Sequence, residues 1–299
     1  MNKFITFMLL LFFIITCTSC NNASKQPTMQ NGMETIKTSL KDVNGNVIRN
    51  GELLEPQESE ISIEIMIKQE IDQTREYALI VLQNFQQTEF IYKDKYTNKH
   101  FFDIAANSET SIPVTIPVNP ATQELSILIV QMPNYKLKEL DFDKGSVLEN
   151  VLTYRHPVKS RTPVDFVTEN FALPNQVRTD SPWDFIVLSS EKDIQKVVMN
   201  SKANTELYLS SINKYSDEAI SYAIIAFKDW NQYPVTPDHD ILFTNVPPGK
   251  EYIYEITLPN VSMDTNYQII AFPYPLKVSR ANFESQIVFS SFRVVVEPN

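Results

Sequence analysis

Cysteine is nearly absent from this chain: there are two in 299 residues, Cys17 and Cys20, both just after its first apolar run. Beyond residue 20 there is no thiol for a disulfide framework, a thiolate metal site or a cysteine nucleophile. Histidine is almost as scarce, with His100, His156 and His239 in three separate segments. A nucleophilic triad needs a base placed beside a serine or cysteine, and no G-x-S-x-G elbow is present. The five glycines leave no phosphate-cradling loop. Basic residues are in deficit, 26 against 36 acidic for a net charge of -10, and the charges are interspersed. That excludes a nucleic-acid face, which needs clustered Lys and Arg. No segment sustains an amphipathic helical period.

What the chain has is apolar material: 43% hydrophobic, 11% aromatic, with 18 prolines as punctuation. That is enough for more than one core. The N-terminus carries one Lys and then an apolar run from Phe4 to Ile15. The run is short for about 30 Å of hydrocarbon but has the length of a signal-peptide core. Cys17-Thr18-Ser19-Cys20 follows it and resembles the lipobox of bacterial lipoproteins, with the small Ser19 before the acceptor and Cys17 where an aliphatic residue is usual. The resemblance implies cleavage after residue 19 and diacylglycerol on Cys20. Residues 20–33 are polar and aperiodic and read as a tether.

Beyond the tether the signals are strands. EISIEIMIK (60–68) alternates Ile61, Ile63, Ile65 and Ile67 against Glu and Lys, and YALIVLQNF (77–85) starts apolar on both faces, as a central strand does. SIPVTIP (111–117) and LSILIVQM (125–132) follow, and Asn44-Gly45 marks a hairpin near 42–48. A short helix is expected within 137–152.

The strand pattern then recurs. Ser62 to Gln87 lies over Leu207 to Gln232 without a gap, placing Tyr77 on Tyr222, Phe85 on Trp230 and Gln87 on Gln232. A nearby offset lays 116–133 over 258–275, so one small indel joins the two blocks. Two collinear blocks imply a duplicated unit of about 120 to 140 residues, the size of a β-sandwich. The reading is all-β, with two tandem sandwiches over 34–158 and 159–299. The boundary falls in 155–176, where Phe166, Phe171 and Leu173 argue for packing rather than a free linker.

Thr265-Asn266-Tyr267-Gln268-Ile269-Ile270-Ala271 resembles the start of strand F in fibronectin type III and immunoglobulin-like domains. There the tyrosine closes a corner, its hydroxyl bonding backbone a few residues upstream. The matching first-copy residue, Leu125, has no hydroxyl.

Candidate chemistry is sparse. Asp238-His239-Asp240 reads as a solvated turn rather than a metal site, and Glu60 and Glu64 as the polar phase of a strand, with Glu58 beside them. No catalytic residue, metal or cofactor is assigned. Trp230, Tyr233 and Phe85 are the candidate partner-binding residues, a reading that stands second to packing in a core or at the domain junction. Phe85 against Trp230 and Gln83 against Lys228 mark where the copies diverge. The expectation is a non-enzymatic lipoprotein, anchored by Cys20 on the extracytoplasmic side of a membrane, the cell membrane ahead of the outer membrane. It binds an unknown protein or carbohydrate partner. The alternatives are a membrane-anchored hydrolase of surface polymers using paired carboxylates, and a structural subunit of a surface assembly.

Overall fold

The computed structural model describes residues 35–160, 162, 171–179, 181, 186–194 and 196–299. The first half carries β1 (Thr35–Asp42), β2 (Val47–Ile48), β3 (Glu60–Glu70), β4 (Arg75–Gln83), β5 (Gln86–Thr88) and β6 (Phe90–Tyr92). It continues with β7 (Lys95–Thr97), β8 (Lys99–Ile104), β9 (Glu109–Pro117), β10 (Glu124–Gln131), α1 (Phe142–Glu149) and β11 (Val151–Pro157). The second half carries β12 (Gln176–Thr179), β13 (Ile186–Ser189), β14 (Asn200–Lys202), β15 (Glu206–Asn213), β16 (Ile220–Lys228) and β17 (Asn231–Tyr233). It ends with β18 (Ile241–Val246), β19 (Lys250–Thr257), β20 (Thr265–Pro273), β21 (Phe289–Ser290) and β22 (Val294–Glu297). The protein is all-β, and α1 falls inside the expected 137–152 window.

Each half is a pair of sheets. In the first, β2-β1-β3-β9-β6-β7 faces β11-β10-β4-β5, with β8 also on β4. In the second, β12-β19-β15-β13 faces β14-β22-β20-β16-β17, with β18 on β16 and β21 on β20. Strand β3 shows why: Ile61, Ile63, Ile65 and Ile67 point to the core while Ser62, Glu64 and Met66 between them face outward. The two blocks read from the sequence reappear as register. Leu79 pairs with Ile129 as Ile224 pairs with Ala271, and Ile80 with Leu128 as Ile225 with Ile270.

A third core lies between the halves. Tyr77, Leu79 and Val81 of β4 face the first sandwich interior, whereas Ala78, Ile80 and Leu82 face outward onto Ala223, Ile225 and Phe227 of β16. Thus the inner sheets are covered on both faces, which is why YALIVL and YAIIAF carry no polar phase.

Two expectations need correction. Tyr267 does not form the tyrosine corner: it is wholly buried in β20, and its hydroxyl has no hydrogen-bond partner among the described residues. Flanked by Lys228 and Val294, it points into the second core rather than at a corner. The upstream backbone bond is made instead by Tyr222, whose hydroxyl donates to the Ile212 carbonyl at 3.2 Å. Leu173 does not pack, being 89% exposed. Its neighbour Ala172 carries the contact, donating its N–H to the Phe243 carbonyl at 2.8 Å and packing on the second core. Phe166 lies outside the described residues.

His156 offers a pH-sensitive probe of the first sandwich. It is fully buried, and its Nδ1 lies 3.0 Å from the Glu52 carbonyl, which can only accept, so Nδ1 carries the proton. Burial pushes its pKa down to about 4 from 6.5, while the Glu52 carbonyl opposes the shift. The folded value lies below the unfolded one, so its contribution is complete above pH 6.5 and is lost as the pH falls towards 4. The loss should reach about 3 kcal/mol. Glu149, raised to about 7 by burial, acts oppositely, favouring the fold as it protonates. In urea unfolding between pH 7 and 4, His156→Asn should therefore gain stability relative to the parent as the pH falls, because the opposing Glu149 contribution is common to both, and a difference independent of pH would refute the assignment.

Candidate functional site

The junction is built by two tight turns. Between β4 and β5 lie Asn84 and Phe85, and between β16 and β17 lie Asp229 and Trp230, with φ of 48°, 68°, 43° and 64°. Two left-handed residues in a two-residue loop make the hairpin turn whose twist suits the flanking strands. Aromatic residues are strained there, so the surroundings must hold them. Asn84 N–H donates to the Glu124 carbonyl as Asp229 N–H does to that of Asn266. The Asn84 and Asp229 side chains in turn accept from the backbone N–H of Glu124 and Asn266.

The turns redirect both rings. Tyr222, Ile224 and Ala226 face the second core, and strict alternation would send Trp230 with them. The left-handed pair breaks that alternation, and Trp230 joins Ala223, Ile225 and Phe227 in the third core, across from Phe85. At 1% and 2% exposed, Phe85 and Trp230 are not surface anchors. What they touch is the other half of the chain. Tyr233 is half-buried against the second core, with the Lys228 ammonium 5.7 Å from its ring.

Equivalent residues exchange equivalent bonds. Gln87 N–H donates to Gln232 Oε1 at 2.6 Å, and Gln232 N–H to Gln87 Oε1 at 2.7 Å. Gln87 Nε2 donates to the Trp230 carbonyl and Gln232 Nε2 to that of Phe85, each at 3.0 Å. Arginines repeat the theme: Arg155 precedes the partner of Leu125, and Arg293 precedes the partner of Tyr267. Arg155 donates to the Pro273 and Ile287 carbonyls and lies 5.3 Å from the Phe272 ring. Arg293 donates to those of Gln131, Met132 and Leu148 and lies 4.7 Å from the Trp230 ring. This is a pseudo-two-fold, self-complementary contact. Of the two, among the described residues, Arg155 alone has a carboxylate, Glu124, at 2.8 Å with both side chains buried. Asn266 stands in the matching place beside Arg293, and burial holds the Arg293 guanidinium down to about 9. Gly51 closes the seam: with φ +76°, it lies so near Ser279 that a Cβ would sit 2.6 Å from that backbone.

The symmetry fails at the divergent ring. Trp230 Nε1–H donates to the Pro133 carbonyl at 2.8 Å. Phe85 is smaller and has nothing to donate, and beside it opens a cleft of about 760 Å³ formed by both halves. Gln86, Thr88, Glu58 and Glu60 contribute polar groups, and Phe243 and Leu276 apolar ones. Phe85 and Phe243 meet edge to face at 6.1 Å. Gln83 stiffens the wall, donating to the Pro117 carbonyl and accepting from Asn119 N–H and Thr122 Oγ1. The lining thus combines amides, a hydroxyl, two carboxylates and ring faces.

The remaining candidates do not converge. Glu58 and Glu60 line the cleft, whereas Glu64, farther along the same outer face of β3, bonds Ser111. Asp238-His239-Asp240 is a turn in which His239 Nδ1 meets Thr236 Oγ1 at 2.9 Å. Among the described residues no three His, Cys, Asp or Glu gather as metal ligands. Cys20 lies outside the described residues, as do the apolar run and the tether. The cleft itself had no sequence signal beyond the Phe85–Trp230 mismatch, because its walls come from segments far apart in the chain.

No protein-family profile matches the chain, and no curated protein matches it. Among solved structures it is similar to red sea bream transglutaminase, at 8% identity and TM-score 0.22, covering 88% of this chain and 31% of that one. The chain therefore spans about a third of that enzyme's length. It is also similar to the Pseudomonas aeruginosa CupB2 chaperone, at 8% identity and TM-score 0.24, covering 81% and 97%. A third is the Salmonella enterica SafA pilin–SafB chaperone complex, at 11% identity and TM-score 0.25, covering 79% and 90%. Likeness at this level says nothing of ligand, partner or activity.

Proposed function

We propose that the protein is a non-enzymatic binding or scaffold lipoprotein. Diacylglycerol on Cys20 holds it to the extracytoplasmic side of a membrane, the cell membrane ahead of the outer membrane. Residues 20–33 tether two sandwich domains, divided near residue 158. The anchor rests on the lipobox-like residues. The observation that carries the binding reading is the cleft beside Phe85, whose two walls belong to different halves held by a buried junction. A site so built keeps its shape before the ligand arrives, which lowers the ordering cost of binding. The ligand class is a protein segment or a carbohydrate.

Two measurements test this. Metabolic labelling with an alkyne fatty acid should mark the parent and leave Cys20→Ala unlabelled; label persisting on the variant would overturn the anchor. Capture of partners from intact cells should succeed with the parent and fail with Gln86→Trp, which places an indole on the exposed cleft rim. Equal capture by both would remove the cleft from the function.

A further inference from the structure

A second cavity, about 230 Å³, opens in the second half where β15 ends, β16 begins and β20 ends against the segment around Glu284–Phe289. Four aromatic residues line it: Tyr215, Tyr222, Tyr274 and Phe289. The Tyr222 and Phe289 rings stand at 67° with centroids 6.3 Å apart, the corner of a box. Two hydroxyls are already engaged, that of Tyr222 with the Ile212 carbonyl and that of Tyr274 with Glu284 Oε2 at 3.0 Å. The cavity therefore offers ring surfaces more than free hydroxyls. Glu284 lines it and Glu218 lies close enough to act on the Tyr274 hydroxyl. Against these two acids stands Lys214, whose ammonium lies 5.4 Å from the Tyr215 ring centroid. Among the described residues the balance is one negative charge, and one ring of the site already carries an ammonium.

The sister copy shows what belongs there. Its counterparts of Ile220, Tyr222 and Pro273 are Arg75, Tyr77 and Gln131, since β4 and β16 share one register with β10 and β20. Arg75 is buried, two residues from Tyr77 along the same face, and its Nη1 donates to Gln131 Oε1 at 3.1 Å. The first half thus carries its own guanidinium at this place. In the second half both positions are apolar and the cavity is left. We propose that this cavity binds a small organic ammonium ion, held against the tyrosine and phenylalanine rings with Glu284 as its counter-charge. Ring faces attract large, weakly hydrated cations, and this volume suits a group of a few carbons rather than a drug-sized ligand. The inference does not depend on the lipid anchor or on the junction cleft, so failure of either leaves it standing.

Choline and its uncharged carbon analogue, 3,3-dimethylbutan-1-ol, test it by titration calorimetry on the whole chain. Choline should bind saturably and at least about tenfold more tightly than the alcohol. Glu284→Gln should weaken choline by about tenfold. The pair Ile220→Arg with Pro273→Gln copies the first half into the second and should abolish choline binding with the thermal midpoint kept. Glu284 is exposed, so its variant keeps the test valid if the paired variant misfolds. Equal affinity for choline and the alcohol, choline binding indifferent to Glu284→Gln, or no saturable choline binding up to about 0.1 M would each overturn the proposal.

Discussion

Glu124→Ala should lower the free energy of unfolding by about 3–5 kcal/mol, the usual loss when one partner of a buried ion pair is removed. Both members of the Glu124–Arg155 pair are almost wholly out of water, and Glu124 does more than neutralise. Its second oxygen accepts the Leu276 N–H at 2.8 Å, so the deletion orphans a backbone donor as well as a buried cation. Because Leu276 belongs to the other half, the damage should extend across the seam, and hydrogen exchange near Leu276 should accelerate along with global unfolding. The double variant Glu124→Leu with Arg155→Leu should recover only the part of the loss that comes from the unpaired charge, since the Leu276 N–H and the Pro273 carbonyl stay without these partners. A single-variant cost below about 1 kcal/mol would mean the pair is not buried as described.

Trp230→Ala should cost about 3–5 kcal/mol, the range for truncating a large buried aromatic. Three things are lost together: ring packing against Phe227, the bond to the Pro133 carbonyl, and the face beneath Arg293. The last matters because, among the described residues, Arg293 meets carbonyls and the indole but no carboxylate. Phe85→Ala should cost less, since Phe85 makes no such hydrogen bond and one side of it already faces the cleft. Urea unfolding followed by circular dichroism should show one transition in the parent, because the third core joins the halves. Equal costs for the two aromatic truncations would deny that the junction is asymmetric.

Much of the fold was legible in sequence. The alternation of Ile61 to Ile67, the Asn44-Gly45 hairpin and the two collinear blocks each depend on local spacing, and their strand assignments and register reappear in the structure. What misled was locality itself. Tyr267 matched a strand-F pattern, yet whether its hydroxyl meets backbone depends on which residues flank its strand. Trp230 followed an apolar parity that two left-handed residues interrupt, and a one-dimensional pattern carries no φ.

The hydrophobic period of 62–87 and its echo at 207–232 settled, without coordinates, that this chain builds an all-β core twice, because strand faces are written every second residue. The doubly apolar runs YALIVL and YAIIAF also announced a strand covered on both sides, but not by what. Only tertiary packing decided that each covers the other, that Gln87 and Gln232 trade the same bonds, and that an indole closes one corner while a phenyl ring leaves its counterpart open. Those outcomes rest on distances between residues about 145 positions apart in sequence, and no periodicity within either segment encodes them.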